Sequence, residues 1–193
     1  MVKSLLKEER IEILAGVEAT LNSKVITIKG PKGTLSRSFA RVPVQISAEY
    51  DKNKKITAIN VRVWFARSKP KSTITTICSH IDNMMNGVTK GFTTVMKFGY
   101  NLIPMQPVAV ENGDVLNVIN YIGEKRTRKI RANPGVKVTT DNADAKKEIE
   151  VSGINPEAVG ETCARINQAC KPRNKDRRKF KDGLYVYTRG FQA

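Results

Sequence analysis

Histidine and tryptophan occur once each in the 193-residue chain, cysteine only three times, and acidic side chains are outnumbered by basic ones, 18 to 34. Each scarcity removes a class of chemistry. His80 has no second histidine and no Cys–His spacing of metal-ligand type near it, so a zinc site is not indicated. It reads as a boundary side chain at the edge of an apolar helical stripe. Cys78, Cys163 and Cys170 contain no CxxC pair. On one helix, Cys163 and Cys170 would stand about 10 Å apart at about 1.5 Å per residue. A disulfide needs Cα atoms closer than about 7 Å. The expectation is free thiols in a reducing compartment. No run approaches the ~20 apolar residues of a membrane span. The first ten residues already carry Glu8 and Glu9 and lack a signal-peptide core, so a cytoplasmic location is expected. With no long basic amphipathic helix, a membrane partner is not expected either.

What the chain does have is positive charge, +16 in all with a pI near 9.9. Charge of this size says nothing about fold and much about partners: it draws a surface to phosphate, with an affinity that falls steeply as salt rises. The charge is unevenly placed. Residues 1–90 carry 16 basic and 7 acidic side chains, residues 91–170 carry 10 and 9, and the last 23 residues carry eight against two, a net of +6. That last segment contains Lys171, Arg173, Lys175, Arg177, Arg178, Lys179 and Lys181, with Phe180 and Tyr185 among them. Arginine grips phosphate bidentately and an aromatic ring stacks on an unpaired base, so nucleic acid is the indicated partner. A self-repelling, apolar-poor segment is expected to stay open alone and to order on a polyanion. Its deletion is therefore expected to leave the rest folded. A second basic run, Lys125, Arg126, Arg128, Lys129 and Arg131, follows a turn at Gly123-Glu124 and enters a strand. It reads either as a phosphate-contacting face or as an edge strand blunted by charge.

The chain repeats itself. Ile74, Ile77, Cys78, Ile81, Met84, Met85 and Val88 form one helical stripe, with Ser72 as the expected N-cap and Gly87 as terminator. Val159, Cys163, Ile166, Ala169 and Cys170 form another, opened by Asn155-Pro156 and closed by Pro172. An 85-residue shift lays Ile74 on Val159, Cys78 on Cys163, Ile81 on Ile166 and Met85 on Cys170. Strand-like runs precede each helix: Lys24–Lys29, Val42–Tyr50 and Ile56–Ala66, then Val115–Tyr121, Gly135–Thr139 and Glu148–Ser152. The expected fold is α+β: two tandem duplicated modules, each a mainly antiparallel sheet with one helix on one face, plus a basic C-terminal extension. The expected boundaries are 1–95, 96–170 and 171–193, with Phe92–Tyr100 able to pair with either half.

Two further features point away from catalysis, and a third residue raises a separate question. Gly30-Pro31-Lys32-Gly33-Thr34 lacks the spacing of a phosphate loop and is not followed by a helix, so it is a hairpin turn in which Lys32 could still touch RNA. Asp141, Asp144, Glu148 and Glu150 lie along one turn and strand, whereas a two-metal nuclease needs carboxylates converging from different elements. Trp64 falls on the face opposite Val61, where it covers the back of the sheet or meets a partner.

Asn83-Met84-Met85-Asn86-Gly87-Val88-Thr89-Lys90-Gly91-Phe92 resembles the N-M-x-x-G-V-T-x-G-F signature of the sixth universal large-subunit ribosomal protein family. The eukaryotic form is also called L-nine. Asn120-Tyr121-Ile122-Gly123-Glu124-Lys125, Pro134-Gly135-Val136 and the stretch from Asn174 to Val186 resemble three further family segments. Arg177 and Lys181 depart from that last pattern, which is expected to carry a neutral or apolar residue at one or both places. The resemblance implies two copies of one small α/β fold and a structural, non-catalytic role. It implies docking on large-subunit ribosomal RNA, chiefly through the second copy and the tail, beside neighbouring ribosomal proteins and near where translational GTPases act. The residues expected to contact RNA are Lys125, Arg126, Arg128, Lys129, Lys171, Arg173, Lys175, Arg177, Arg178, Lys179, Phe180, Lys181 and Tyr185, with no cofactor, metal or small-molecule substrate. The rivals are a basic nucleic-acid-binding module acting off the ribosome, and an RNA-processing enzyme.

Overall fold

The computed structural model describes residues 5–51, 55–100, 103–141, 148–176 and 178–192. They divide into two compact units, Met1–Lys90 and Gly91–Ala193. The first contains β1 (Leu6–Glu12), β2 (Glu18–Asn22), β3 (Val25–Gly30), β4 (Gly33–Ser38), β5 (Gln45–Tyr50), β6 (Ile56–Trp64) and α1 (Ser68–Thr89). Two three-stranded antiparallel sheets form, β1-β6-β5 and β2-β3-β4. The alternation Ile59, Val61, Val63 places those side chains in the core and leaves Trp64 outside. The helix lies against β1, β3 and β6, with Ile74, Ile77, Cys78, Ile81, Met84, Met85 and Val88 buried.

The second unit contains β7 (Phe92–Gly99), β8 (Gln106–Val110), β9 (Val115–Ile119), β10 (Arg128–Arg131), β11 (Val136–Asp141), β12 (Glu148–Gly153), α2 (Pro156–Ala169) and β13 (Gly183–Phe191). Its sheets are β8-β9-β10 and β11-β12-β7-β13. The order β5-β6-β1 of the first unit thus recurs as β11-β12-β7, and the meander β2-β3-β4 recurs as β8-β9-β10. The fold is a duplicated α+β unit, and the four residue pairs matched by the 85-residue shift are buried in both copies. All three cysteines are free and buried. Burial pushes the Cys78 thiol up to about 12 and the Cys170 thiol up to about 11.

Several expectations change. The N-cap position of the first helix is Arg67, which offers no side-chain capping bond, not Ser72, and Pro70 lies inside the first turn, where a missing N–H costs nothing. The Ser72 hydroxyl instead bonds back to the Lys69 carbonyl at 2.8 Å. Gly87 does not end the helix; it lies buried within it, and the chain leaves at Lys90. The expected break at 95/96 would cut β7, which is held on both sides by β12 and β13. The largest correction concerns the tail. Residues 183–191 are not an open extension but an edge strand paired along β7, with Leu184 fully buried in the core and the Phe191 ring tilted against that of Phe92, their centroids 5.5 Å apart. Strand β1 is hidden in the sequence by its charge. Its outward side chains pair across the sheet, Glu8 with Arg62 at 2.6 Å and Arg10 with Glu49 at 3.0 Å.

The Gly30–Gly33 turn is a hairpin, joining β3 to β4 with Gly30 opposite Gly33. It docks on the end of α1: Lys32 N donates to the Val88 carbonyl at 3.0 Å, and the Lys32 ammonium donates to the Lys90 carbonyl. Lys32 is thereby engaged within its own module.

Candidate nucleic-acid interface

A tight turn follows β9. Asn120, Ile122 and Gly123 all adopt left-handed backbone angles, at φ 58, 50 and 76°. This turn drives Tyr121 inward, where the ring is fully buried. Its hydroxyl donates to the Cys170 carbonyl at 2.6 Å, at the end of α2, and lies 3.3 Å from the Asp182 carbonyl, at the start of β13. One phenol therefore ties the turn to both ends of the segment 171–182. Burial holds the phenol's pKa above the usual range.

Four residues after Glu124, Arg128 closes over the same ring, its guanidinium carbon 4.1 Å from the ring centroid. It forks onto the Glu124 carboxylate, with Nε donating at 2.9 Å and NH2 to the other oxygen, and donates NH1 to the Ala169 carbonyl. Its side chain is only 19% exposed. Strand parity explains the difference from its neighbours. Arg128 shares the inward face with buried Ile130, while Lys129 and Arg131 point outward and are exposed. Arg128 is thus a structural cation, and among the described cations expected to contact RNA it is the one that is not exposed.

The remaining cations stay outside. Lys125, Arg126, Lys129, Arg131, Lys171, Arg173, Lys175, Arg178, Lys179 and Lys181 are exposed. The ion pairs of this unit engage Lys97, Arg128 and Arg165 instead, so among the described residues none of those ten has a carboxylate within 4.0 Å. The two basic segments are near one another. The Glu124 carboxyl is held below its usual range first by its hydrogen bonds to Arg128 and that residue's charge, then by the charges of Arg126 and Arg173. The described residues between 171 and 182 have order of their own. The Asp176 carboxylate accepts from Arg178 N at 2.9 Å, and the Asp176 carbonyl accepts from Lys179 N and Phe180 N at 3.1 and 2.9 Å. Phe180 is half-buried with the Lys175 ammonium 5.4 Å from its ring. The exposed Tyr185 donates its hydroxyl to the Lys181 carbonyl at 3.2 Å. Arg177 lies outside the described residues. Sequence reasoning misses Tyr121 and Asp182 as organisers of this surface; the available signal is a single tyrosine three residues before a Glu-x-x-x-Arg pair.

The features set against catalysis stay scattered. His80 is half-exposed on α1, Glu148 pairs with Lys97 at 3.3 Å, and Asp144 lies outside the described residues. Among the described residues no three His, Cys, Asp or Glu side chains group as a metal site, and no helix is long and apolar enough to cross a membrane.

The family described as ribosomal protein L6 matches residues 13–91 and 103–183, once in each unit. The chain belongs to the ribosomal protein L6 family. A protein of Tetrahymena thermophila named large ribosomal subunit protein uL6 is 36% identical over 187 residues, 96% of this chain and 95% of that one. The uL6A protein of Schizosaccharomyces pombe is 36% identical over 190 residues, 98% and 96% of the two chains. The archaeal uL6 of Ignicoccus hospitalis is 34% identical over 190 residues, 98% of each. Similarity over nearly the whole length places the cation-bearing end of this L6-family chain within the shared region.

Proposed function

We propose that this protein is a structural constituent of the large ribosomal subunit. It holds ribosomal RNA through the end of its second module and performs no bond chemistry. Its L6-family relatives are named as large-subunit proteins, which supports that setting; the proposed setting further includes a cytoplasmic ribosome, neighbouring ribosomal proteins and translational GTPases close by. The observation that carries the RNA contact is the joint anchoring of two basic segments, 125–131 and 171–181, by the buried Tyr121 hydroxyl and the Arg128 fork. Phosphate contacts from exposed lysine and arginine fix register, and the shape of the folded RNA supplies selectivity.

The test titrates the full chain with large-subunit ribosomal RNA across a salt series. Replacing Lys125, Arg126, Lys129, Arg173 and Lys175 by Ala should flatten the log–log salt slope by roughly 0.7–0.9 for each phosphate that the protein no longer neutralises. It should also deplete the protein from large-subunit fractions of a lysate. Unchanged slope and cosedimentation would overturn the proposal. RNA binding without cosedimentation would favour a module acting off the ribosome.

A further inference from the structure

Among the described residues the first module carries an apolar groove that no other element covers. It encloses about 980 Å³ where β6 runs into α1. Pro43 and Pro70 line it, together with Trp64 and Phe65, which are 54% and 67% exposed. Two adjacent large aromatics in solvent are unusual for a free surface and characteristic of an interface. Phe65 adds a second observation. Its φ is +49°, a left-handed conformation that bulky side chains rarely adopt. A strained residue persists only where its surroundings hold it; here the side chain points outward, and the module holds the backbone alone, with Phe65 N donating to the Leu5 carbonyl at 2.8 Å.

The rim is of one sign. Arg67, Lys69 and Lys71 line the groove, and the first turn of α1 holds no acidic residue. These cations sit where the helix end already presents positive potential, so the complement is an anion. RNA would supply one, but a base pressed into an apolar groove buries polar edges that need partners. The indole Nε1–H already faces Gln45 Oε1 at 3.4 Å. Apolar side chains flanked by carboxylates meet both the floor and the rim.

We propose that this groove docks an acidic segment of a protein partner, with aromatic or aliphatic side chains seated against Trp64 and Phe65 and carboxylates on Arg67, Lys69 and Lys71. The groove uses none of the residues assigned to RNA contact and stands or falls independently of that reading. Trp64 is the only tryptophan in the chain, so its emission reports on the groove without a label.

The experiment titrates the full chain with a synthetic peptide alternating Asp with Phe and Leu, a second peptide with Ser in place of the apolar residues, and an octamer of uridylate. The first should shift the Trp64 emission to the blue and saturate, and the second should not. Phe65→Gly, which accepts the left-handed backbone, should weaken the peptide about tenfold while leaving thermal stability equal or higher. The pair Lys69→Glu and Lys71→Glu should weaken it by a similar factor, with helical content unchanged. A silent tryptophan, a response surviving these substitutions, self-association of the chain without peptide, or a stronger response to uridylate would overturn the proposal.

Discussion

The hydroxyl of Tyr121 donates to the main-chain carbonyl of Cys170 at 2.6 Å, joining the turn after β9 to the last residue held by α2. The two residues stand 49 apart in sequence, and both are buried. With the Asp182 carbonyl on the same hydroxyl, the bond turns two basic stretches distant along the chain into one surface.

Tyr121→Phe should therefore destabilise the second module while keeping its core volume. The buried Cys170 carbonyl loses its donor, which costs about 1–3 kcal/mol, read as a lower urea midpoint. The pH profile gives an independent check. Burial raises the phenol's pKa in the folded state above its ordinary value of about 10. The folded protein keeps the proton where the unfolded chain loses it, so this contribution is complete below about pH 10 and is lost as pH rises further. The phenylalanine variant should lack that alkaline phase, and an identical alkaline profile would refute the account.

Arg128 and Lys129 are adjacent, equally charged and predicted to behave oppositely. Arg128→Ala removes the fork on Glu124, the bond to Ala169 and the cover over Tyr121, and should cost about 1–3 kcal/mol of stability. Arg128→Lys should recover little of it, because an ammonium cannot reproduce the fork. Lys129→Ala should leave stability within about 0.5 kcal/mol and lower the salt slope of RNA binding by roughly 0.7–0.9. Chemical denaturation and salt-series titration of the three variants separate the roles. Equal effects of Arg128→Ala and Lys129→Ala on stability would sink the assignment.

The fold is legible in the sequence where a local rule and the tertiary structure agree. The second helix carries its own punctuation: the Asn155 side chain accepts from Glu157 N at 3.0 Å, with Pro156 at the first position. The repeated stripe survives because both helices bury the same face. Strands β1 and β4 are not legible, since Leu-Lys-Glu-Glu-Arg-Ile-Glu and Gly-Thr-Leu-Ser-Arg-Ser offer few apolar positions and are held by cross-strand pairing. Composition misjudges the tail because it averages over two segments that differ. Lys171–Lys181 carries the charge, whereas Gly183–Phe191 carries one buried leucine and a ladder to β7 whose register shifts once, between Val186 and Thr188. The sequence names the exposed cations, but Arg128 is distinguished from them only by sharing parity with Ile130.

The close approach of Gly30 to Val88 yields a prediction from space alone. A Cβ added at Gly30 would stand 2.6 Å from Val88 Cγ2, 2.8 Å from its Cβ and 3.0 Å from its carbonyl oxygen. Gly30→Ala should thus destabilise the first module by about 1–3 kcal/mol through overpacking. Val88→Ala removes the nearest of these atoms. In a double-mutant cycle by urea denaturation, the two substitutions together should cost less than their sum. Strict additivity would show that the hairpin does not dock on the helix end as described.

The two halves of the tail should separate experimentally. Deletion of Lys171–Ala193 takes away the cations and also the edge strand, so weaker RNA binding in that variant could not be assigned to charge. Leu184→Ala tests the folding half: a fully buried leucine in the second core should cost about 2–5 kcal/mol. Lys175→Gln with Lys179→Gln tests the binding half. Both side chains are exposed, so the urea midpoint should hold within about 0.5 kcal/mol per site while the salt slope drops. Should Leu184→Ala unfold at the same urea concentration as the parent, β13 would not belong to the folded module. The segment 171–193 would then have to be treated as a single open extension.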